Sequence, residues 1–397
     1  SGTKQKNLLV RDNIIRSAQL IPTGRNASQL TINMLKECQY KVLQYTNPHR
    51  LVIDVYRIDL IKQEKTLAKG VTYTYIQDEM NGTQIQASLL SIAPDAKYQL
   101  RPFSAAGAYN GRGLLSQEAK RRRLKAAVNA SYFDHDGWVI AVNKDKGEFM
   151  SMDATPRSAY VDTGKERLIV QDVAYNGVLR FKGGELSIKG MNRGRIAEDV
   201  VLFNEYYGPS TKTNQWGREV KIRDNKVIAV SNKGNMKIEP GTVVVSAHGL
   251  ANKYLLRGIA VGDEVELVQE LNVPIANAAP IVAGGGPLIL ENGKVNVRSA
   301  EEFIPKDIAK GSAPRTAIGL KKDGTVLVLV VDGRSNTSRG LTLKELATYF
   351  LRLGARDAVN FDGGGSSVMV INGEVVNKPS DGRERPVSMA LGLFPKY

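Results

Sequence analysis

A single cysteine, Cys38, occurs among 397 residues. An intrachain disulfide is therefore impossible, and a cluster of thiolate metal ligands is excluded. Histidine is nearly as scarce. His49, His135 and His248 stand far apart, with no partner at metal-ligand spacing. Ligand spacing thus gives no indication of a divalent metal, and no cofactor is expected. No apolar run is long enough to cross a membrane as a helix. Internal repeats and low-complexity linkers are missing too. The polar start, Ser1-Gly-Thr-Lys-Gln-Lys6, lacks an initiator methionine and reads as a processed end from which any signal peptide has already gone.

Acidic side chains are also in short supply: 40 Asp and Glu face 55 Lys and Arg, a net charge of +15. A surface of that sign attracts anions such as nucleic acid, anionic lipid or polyanionic wall polymers. The densest run, Lys120-Arg-Arg-Arg-Leu-Lys125, reads as the solvated face of a helix. A nucleic-acid partner would call for interleaved aromatics or a recognisable module, and the chain has neither. What is present is ordinary globular material, 42% hydrophobic, in a length sufficient for two domains.

The pattern predicts an α+β fold: β-rich mixed sheets with few helices, one strand-helix-strand crossover, and a small N-terminal all-β domain. From Gln29 to Lys65 apolar and polar residues alternate, as in short antiparallel strands. A boundary near Lys69-Gly70 divides residues 1–69 from 70–397. Beyond it, Asn292-Gly293, Asp323-Gly324 and Asn372-Gly373 each separate apolar runs and signal hairpins. Helices are expected over Ser116–Leu124 and Leu343–Leu353. The second has Thr342 as N-cap, Glu345 at the capping-box position and Gly354 as its stop. Between the apolar strand Thr325–Val331 and the strand Ala358–Phe361 this helix forms the crossover. Parallel strands would put Asp332 and Asp362 at one carboxyl end, where ligands of such sheets bind.

The segment Asn360-Phe-Asp-Gly-Gly-Gly-Ser-Ser367 carries the clearest functional signal. Three glycines weaken a strand and make sense where backbone must come close to a ligand, for instance an anion held by Gly363 and Gly364 N–H groups. Asp362 is the first catalytic candidate. Asn360 lies two residues away and so shares its face. Asp332 is the second carboxylate, read either as catalytic or as a turn aspartate. Arg315, entering an apolar strand, needs an anionic partner, either Asp362 or a substrate phosphate. Ser338 and Arg339 lie in a loop suited to sugar or phosphate oxygens, whereas Arg334 in the same loop reads as an ordinary soluble residue. Gly284-Gly-Gly286 either brings backbone to the same site or makes a tight corner.

Taken together, Val128-Asn-Ala-Ser-Tyr-Phe133, Pro314-Arg-Thr-Ala-Ile-Gly319, Val331-Asp-Gly333, Ser338–Ala347, Asn360–Ser366, Asn377–Asp381 and Glu384-Arg385 resemble, in order and spacing, the phosphodiester glycosidase family. The resemblance implies a hydrolase that cleaves a glycosidic bond to phosphate. By motif it carries over Asn129, Arg315, Asp332, Asn360 and Asp362 as site residues, with Ser338 and Thr342 beside them. This chain has Ala130-Ser131 where relatives often have glycine, and Phe361 where leucine is usual. The cysteine pairs of animal members are absent, which implies a bacterial relative with a different aglycone. Tyr45-Thr-Asn-Pro-His-Arg-Leu-Val-Ile-Asp-Val55 is similar to AMIN domains, β modules that target envelope proteins to cell wall. That likeness implies an extracytoplasmic location and a sugar-phosphate or cell-wall polymer as partner.

In the expected mechanism, Arg315 with Arg339 and glycine-loop N–H groups takes the phosphate. Asp362, with Ser366 in its loop, serves as nucleophile or as base for water. Asn129 and Asn360 hold the sugar, and Asp332 is the second carboxylate. Two alternatives stay open: a metal-dependent phosphodiesterase built on Asp332 and Asp362, and a non-catalytic wall-glycan binder. All of these readings require Asn129, Arg315 and Asp362 to converge.

Overall fold

The apolar run Val326–Val331 lies near the middle of an eight-stranded sheet and is buried along its whole length. Its side chains alternate between two cores. Val326, Val328 and Val330 face one, and Leu327, Leu329 and Val331 the other. That is why the sequence is continuously apolar and not alternating. The computed structural model describes residues 6–9, 15–25, 27–35, 38–57, 61–81, 83–107, 111–251 and 256–396.

The first core lies between this sheet and a five-stranded sheet containing Ala126–Asn129, Met369–Ile371 and Met389–Pro395. The second lies under the helix Leu343–Arg352, through Leu343, Leu346, Ala347 and Phe350. Gly319 allows that close approach, since a Cβ there would lie 2.5 Å from the Phe350 ring. Thr342 caps the helix, with both halves of a capping box formed with Glu345.

The crossover differs from expectation. Val326–Val331 and Ala355–Asn360 are not neighbours: Arg315–Lys321 lies between them, antiparallel to both. The hairpin turn at Asp323-Gly324, with Gly324 at φ +85°, folds Arg315–Lys321 directly onto Val326–Val331. Closing that short loop costs less entropy than the longer path through the helix, so the hairpin takes the adjacent position. The two outer strands still point the same way because each opposes the one between them. Among the described strands the one parallel pairing joins Gly190–Met191 to Val200–Phe203.

Lys69-Gly70 is the turn of a hairpin. Ile61–Ala68 pairs with Val71–Met80 and forms the edge of the eight-stranded sheet, so strand pairing crosses the expected boundary. Further toward the N-terminus, Cys38–Thr46 and His49–Arg57 form a two-stranded sheet, and Lys6–Leu9, Ile15–Gly24 and Ala27–Met34 form another of three strands. A β module between Arg167 and Leu271 has a separate core around Leu179, Val200, Leu202, Val220 and Val245. The described residues contain no helix long and apolar enough to cross a membrane.

Candidate active site

The antiparallel register brings the start of one strand to the ends of two others. Arg315 is paired with Val331, and Ala317 with Asn360. Arg315, Asp332 and Asp362 therefore gather at one edge of the sheet. Pro314 is gripped from both sides by glycines. A Cβ at Gly333 would come within 2.6 Å of its nitrogen, and one at Gly363 within 2.8 Å of its oxygen. Gly364 N–H donates to the same Pro314 oxygen at 2.9 Å. Bulkier residues at these positions would separate the three strand ends.

The five-stranded sheet adds Asn129. Asp362 N–H donates to Ala130 O at 2.9 Å, and Asn129 Nδ2 donates to Asp362 O at 2.7 Å. Asn129 Oδ1 accepts from Thr316 Oγ1 at 2.8 Å and from Val368 N–H at 3.0 Å. Its amide thus joins the two sheets behind Asp362. Buried and bonded in this way, Asn129 positions the aspartate. Asn129 and Asp362 meet directly. Arg315 joins them through the strand that carries Thr316.

Asp362 keeps part of its surface open. Burial pushes its carboxyl up to about 6, against the Ser366 hydroxyl, the Arg385 charge and the Gly363 N–H, all of which favour the anion. A carboxyl with that value changes charge near neutrality, the range that suits a general acid or base. Asp332 is buried, and burial raises its carboxyl as well, although Oδ1 accepts from Asn377 Nδ2 at 3.1 Å and Lys378 N–H at 3.0 Å. Asn377 Nδ2 also donates to Ser367 O at 3.1 Å, so Asp332 is tied to the segment following the glycine loop.

Asn360 shares a small polar centre with Tyr132, which the sequence reading left without a role. Asn360 Nδ2 donates to Phe361 O at 2.7 Å, Tyr132 Oη at 2.9 Å and Gly286 O at 3.2 Å, while Oδ1 is sealed without a hydrogen-bond partner. The Tyr132 hydroxyl donates to Gly286 O at 3.0 Å. Burial raises the phenol far above its ordinary range and the Asp362 charge adds to this, so Tyr132 stays neutral. Tyr132 lies three residues beyond Asn129, at the end of the same strand. That position was the one signal available in the sequence.

Arg315 departs from expectation in its partners. It is 2% exposed, yet no carboxylate among the described residues pairs with it. Instead Nε donates to Leu341 O at 2.8 Å, and Nη2 to Ile308 O at 3.0 Å and Gly311 O at 2.6 Å. Carbonyl dipoles satisfy the donors and leave the charge uncancelled, so burial lowers its pKa and the nearby Arg334 lowers it further.

Three expected ligand contacts are occupied by the fold. Ser338 Oγ donates to Asp332 O at 2.6 Å and accepts from Gln86 N–H at 3.2 Å. Arg339 pairs with Glu345 at 2.5 Å. Thr342 serves the helix cap. Among the described residues no three His, Cys, Asp or Glu side chains group as a metal site. A groove of about 800 Å³ lies at the opposite edge of the sheet, lined by Asp162, Arg167, Lys321 and Arg356, and it contains none of the predicted residues.

Comparison with known proteins fits this geometry. An 80-residue stretch is 46% identical to the SPbeta prophage-derived uncharacterized protein YomE of Bacillus subtilis (strain 168), covering 20% of this chain and 12% of that protein. Another, of 67 residues, is 42% identical to N-acetylglucosamine-1-phosphodiester alpha-N-acetylglucosaminidase of Bos taurus, covering 17% of this chain and 12% of that one. The matched stretches thus span about an eighth of these relatives' length. A hypothetical protein from Synechocystis shares the fold at a TM-score of 0.73 and 19% identity, over 99% of this chain and 75% of that one. A protein of Burkholderia pseudomallei K96243, carrying the provisional name of an exported protein, does so at 0.67 and 19%, over 88% and 78%. Residues 216–394, which contain Arg315, Asp332, Asn360 and Asp362, match the phosphodiester glycosidase family, and this chain carries a domain of that family.

Proposed function

We infer that the protein hydrolyses the glycosidic bond of a sugar-1-phosphodiester, N-acetylglucosamine-1-phosphate diesters being the first class to test. The observation that carries this reading is Asp362: a partly reachable carboxyl raised to about 6, on a glycine loop inside the family-matched region. Asp362 either attacks C1 itself or takes a proton from the water that does. The C1–O bond breaks, and its electron pair leaves with the phosphate monoester. Water supplies the oxygen that ends on C1. Because a phosphate monoester is an acidic leaving group, neutralising its charge matters more than protonating it. Asn129 and Tyr132 hold Asp362 and Asn360 in place, and Asp332 fixes the following segment.

An envelope setting is part of the proposal. The net charge of +15 suits an anionic wall polymer, and the AMIN-like stretch Tyr45–Val55 would supply wall targeting. Hydrolysis of a sugar-1-phosphodiester in ¹⁸O-labelled water tests the chemistry. Label is expected in the released sugar. Label in the phosphate would mean P–O cleavage and would replace this reading with a phosphodiesterase, while binding of wall glycan without any release would replace it with a binding protein.

A further inference from the structure

Two arginines near the site have carboxylate partners: Arg339 has Glu345 and Arg385 has Asp381. Arg334 has none. Its guanidinium is exposed and makes no hydrogen bond or ion pair with a described residue. Its backbone is nevertheless tightly held. Ser335 and Ser338 exchange both main-chain bonds, at 3.0 and 3.3 Å, and Arg334 N–H donates to Arg339 O at 3.3 Å. Ser338 Oγ locks this small hairpin to Asp332 O. The result is a left-handed Arg334, φ +57°, a conformation that disfavours a long side chain. Strain of this kind persists where the surroundings enforce it, and it is a common mark of functional sites.

The held backbone places the guanidinium over the glycine loop. A Cβ on Gly364 would lie 3.2 Å from Arg334 Nη2 and 3.6 Å from its Cζ. Glycine at 364 therefore leaves room for the arginine and for a ligand beneath it. Arg315 is close enough for the two like charges to repel. Among the described residues its Nη1 has no hydrogen-bond partner, and its Nε and Nη2 donate to neutral carbonyls. Two neighbouring guanidiniums, neither paired with a carboxylate among the described residues, beside a loop that carries no side chains at Gly363–Gly365 and whose Gly364 N–H is held by Pro314 O, form an arrangement that an anion would relieve.

We propose that Arg334 is the specificity residue of this site: it grips the phosphate of the leaving group, with Arg315 fixed behind it, and so selects phosphate-linked sugars over neutral glycosides. The proposal rests on the glycosidase reading above and refines it. Arg334, not Arg339, then supplies the second cation.

The test compares Arg334→Ala, Arg334→Lys and Arg334→Gly with wild type. Substrates are a methyl phosphodiester of N-acetylglucosamine 1-phosphate and the 4-nitrophenyl glycoside of the same sugar. Loss of the guanidinium should lower kcat/KM on the phosphodiester about a hundredfold. That loss should exceed the loss on the aryl glycoside at least about tenfold. Lysine should recover part of it, since it restores the charge without the fork. Arg334→Gly should melt no lower than wild type, because glycine accepts φ +57° without strain. Equal losses on both substrates, or none on either, would overturn the proposal. Calorimetric titration with inorganic phosphate separates it from the reading beneath it. If wild type cleaves neither substrate, the glycosidase reading falls. Phosphate binding that weakens about tenfold in the Ala and Gly variants still upholds the phosphate seat. Unchanged or absent binding removes it.

Discussion

Gly284-Gly285-Gly286 and Gly363-Gly364-Gly365 are matching triplets in the sequence, and the structure surrounds them differently. Around the first, apart from Gly286 against the Glu302 carboxylate, added side chains would meet main chain and core. Gly284 faces Val142 O at 2.7 Å, and Gly285 faces Asn360 O at 2.6 Å with the Phe361 ring at 3.0 Å. Around the second, apart from Gly363 against Pro314, the neighbours are charged side-chain tips: Arg334 over Gly364, and Arg385 with Asp381 against Gly365. The first triplet is a packing device that lets Gly286 O receive Tyr132 and Asn360. The second faces the groups proposed to do the chemistry. A glycine run thus reports close approach, and only its neighbours tell whether that approach serves the core or a ligand.

Substitutions should separate the two triplets by what each one damages. The largest effect is expected at the carboxyl that the second triplet follows. Asp362→Asn should lower kcat on a sugar-1-phosphodiester by roughly a thousandfold or more while circular dichroism stays native. Near-normal turnover would remove Asp362 from the chemistry. The same variant carries a stability prediction. Asp362 titrates near 6 in the folded chain against an ordinary 3.8, so between those values the folded state holds more protons than the unfolded one. Stability contributed by this group is therefore lost as pH rises from about 4 to about 6, and activity that needs the anion rises over the upper part of that window. Thermal melts of Asp362→Asn should lack that slope and gain roughly 1–3 kcal/mol near pH 7.

Next in size is Gly285→Ala. Its new methyl meets main chain and a core ring that have little room to yield, so chemical denaturation should show a loss of roughly 1–3 kcal/mol. Gly365→Ala should act differently. Gly365 is outside the left-handed region, and its neighbours are flexible charged tips. Displacing Arg385 removes a charge that favours the Asp362 anion, so the acidic limb of the pH–rate profile should move above about 6 with a smaller change in melting. If Gly365→Ala unfolded the protein as readily as Gly285→Ala, the contrast between the triplets would collapse. The smallest effect belongs to Thr342→Ala, which loses a helix cap. It should cost about 1 kcal/mol of stability in urea and change KM little. A large rise in KM would return Thr342 to the list of substrate contacts.

Local chemistry made much of this legible in the sequence. The capped helix, the Asp-Gly and Asn-Gly turns, the buried strand Val326–Val331 and the glycine loop after Asp362 all depend on residues close together in the chain. Short-range sterics and hydrogen bonding act there without help from the rest of the fold. Asp362 stood out for the same reason, since its whole signal lies within a few residues.

Contacts across long sequence separations were settled only by the tertiary structure. Which strand came to lie beside Val326–Val331 depended on competition between a hairpin and a crossover, and the crossover was misplaced by one strand. Asn129 was readable as a site residue, but not as the bolt that holds Asp362 from 233 positions away. Arg334 and Arg339 sit five residues apart in one loop and are indistinguishable by type. One found Glu345 and the other found open space over Gly364. An amino-acid sequence states which side chains carry charge. Whether a charge is spent on the fold or left for a ligand depends on which distant groups folding brings to it, because hydrogen bonding and electrostatics are set by distance in space.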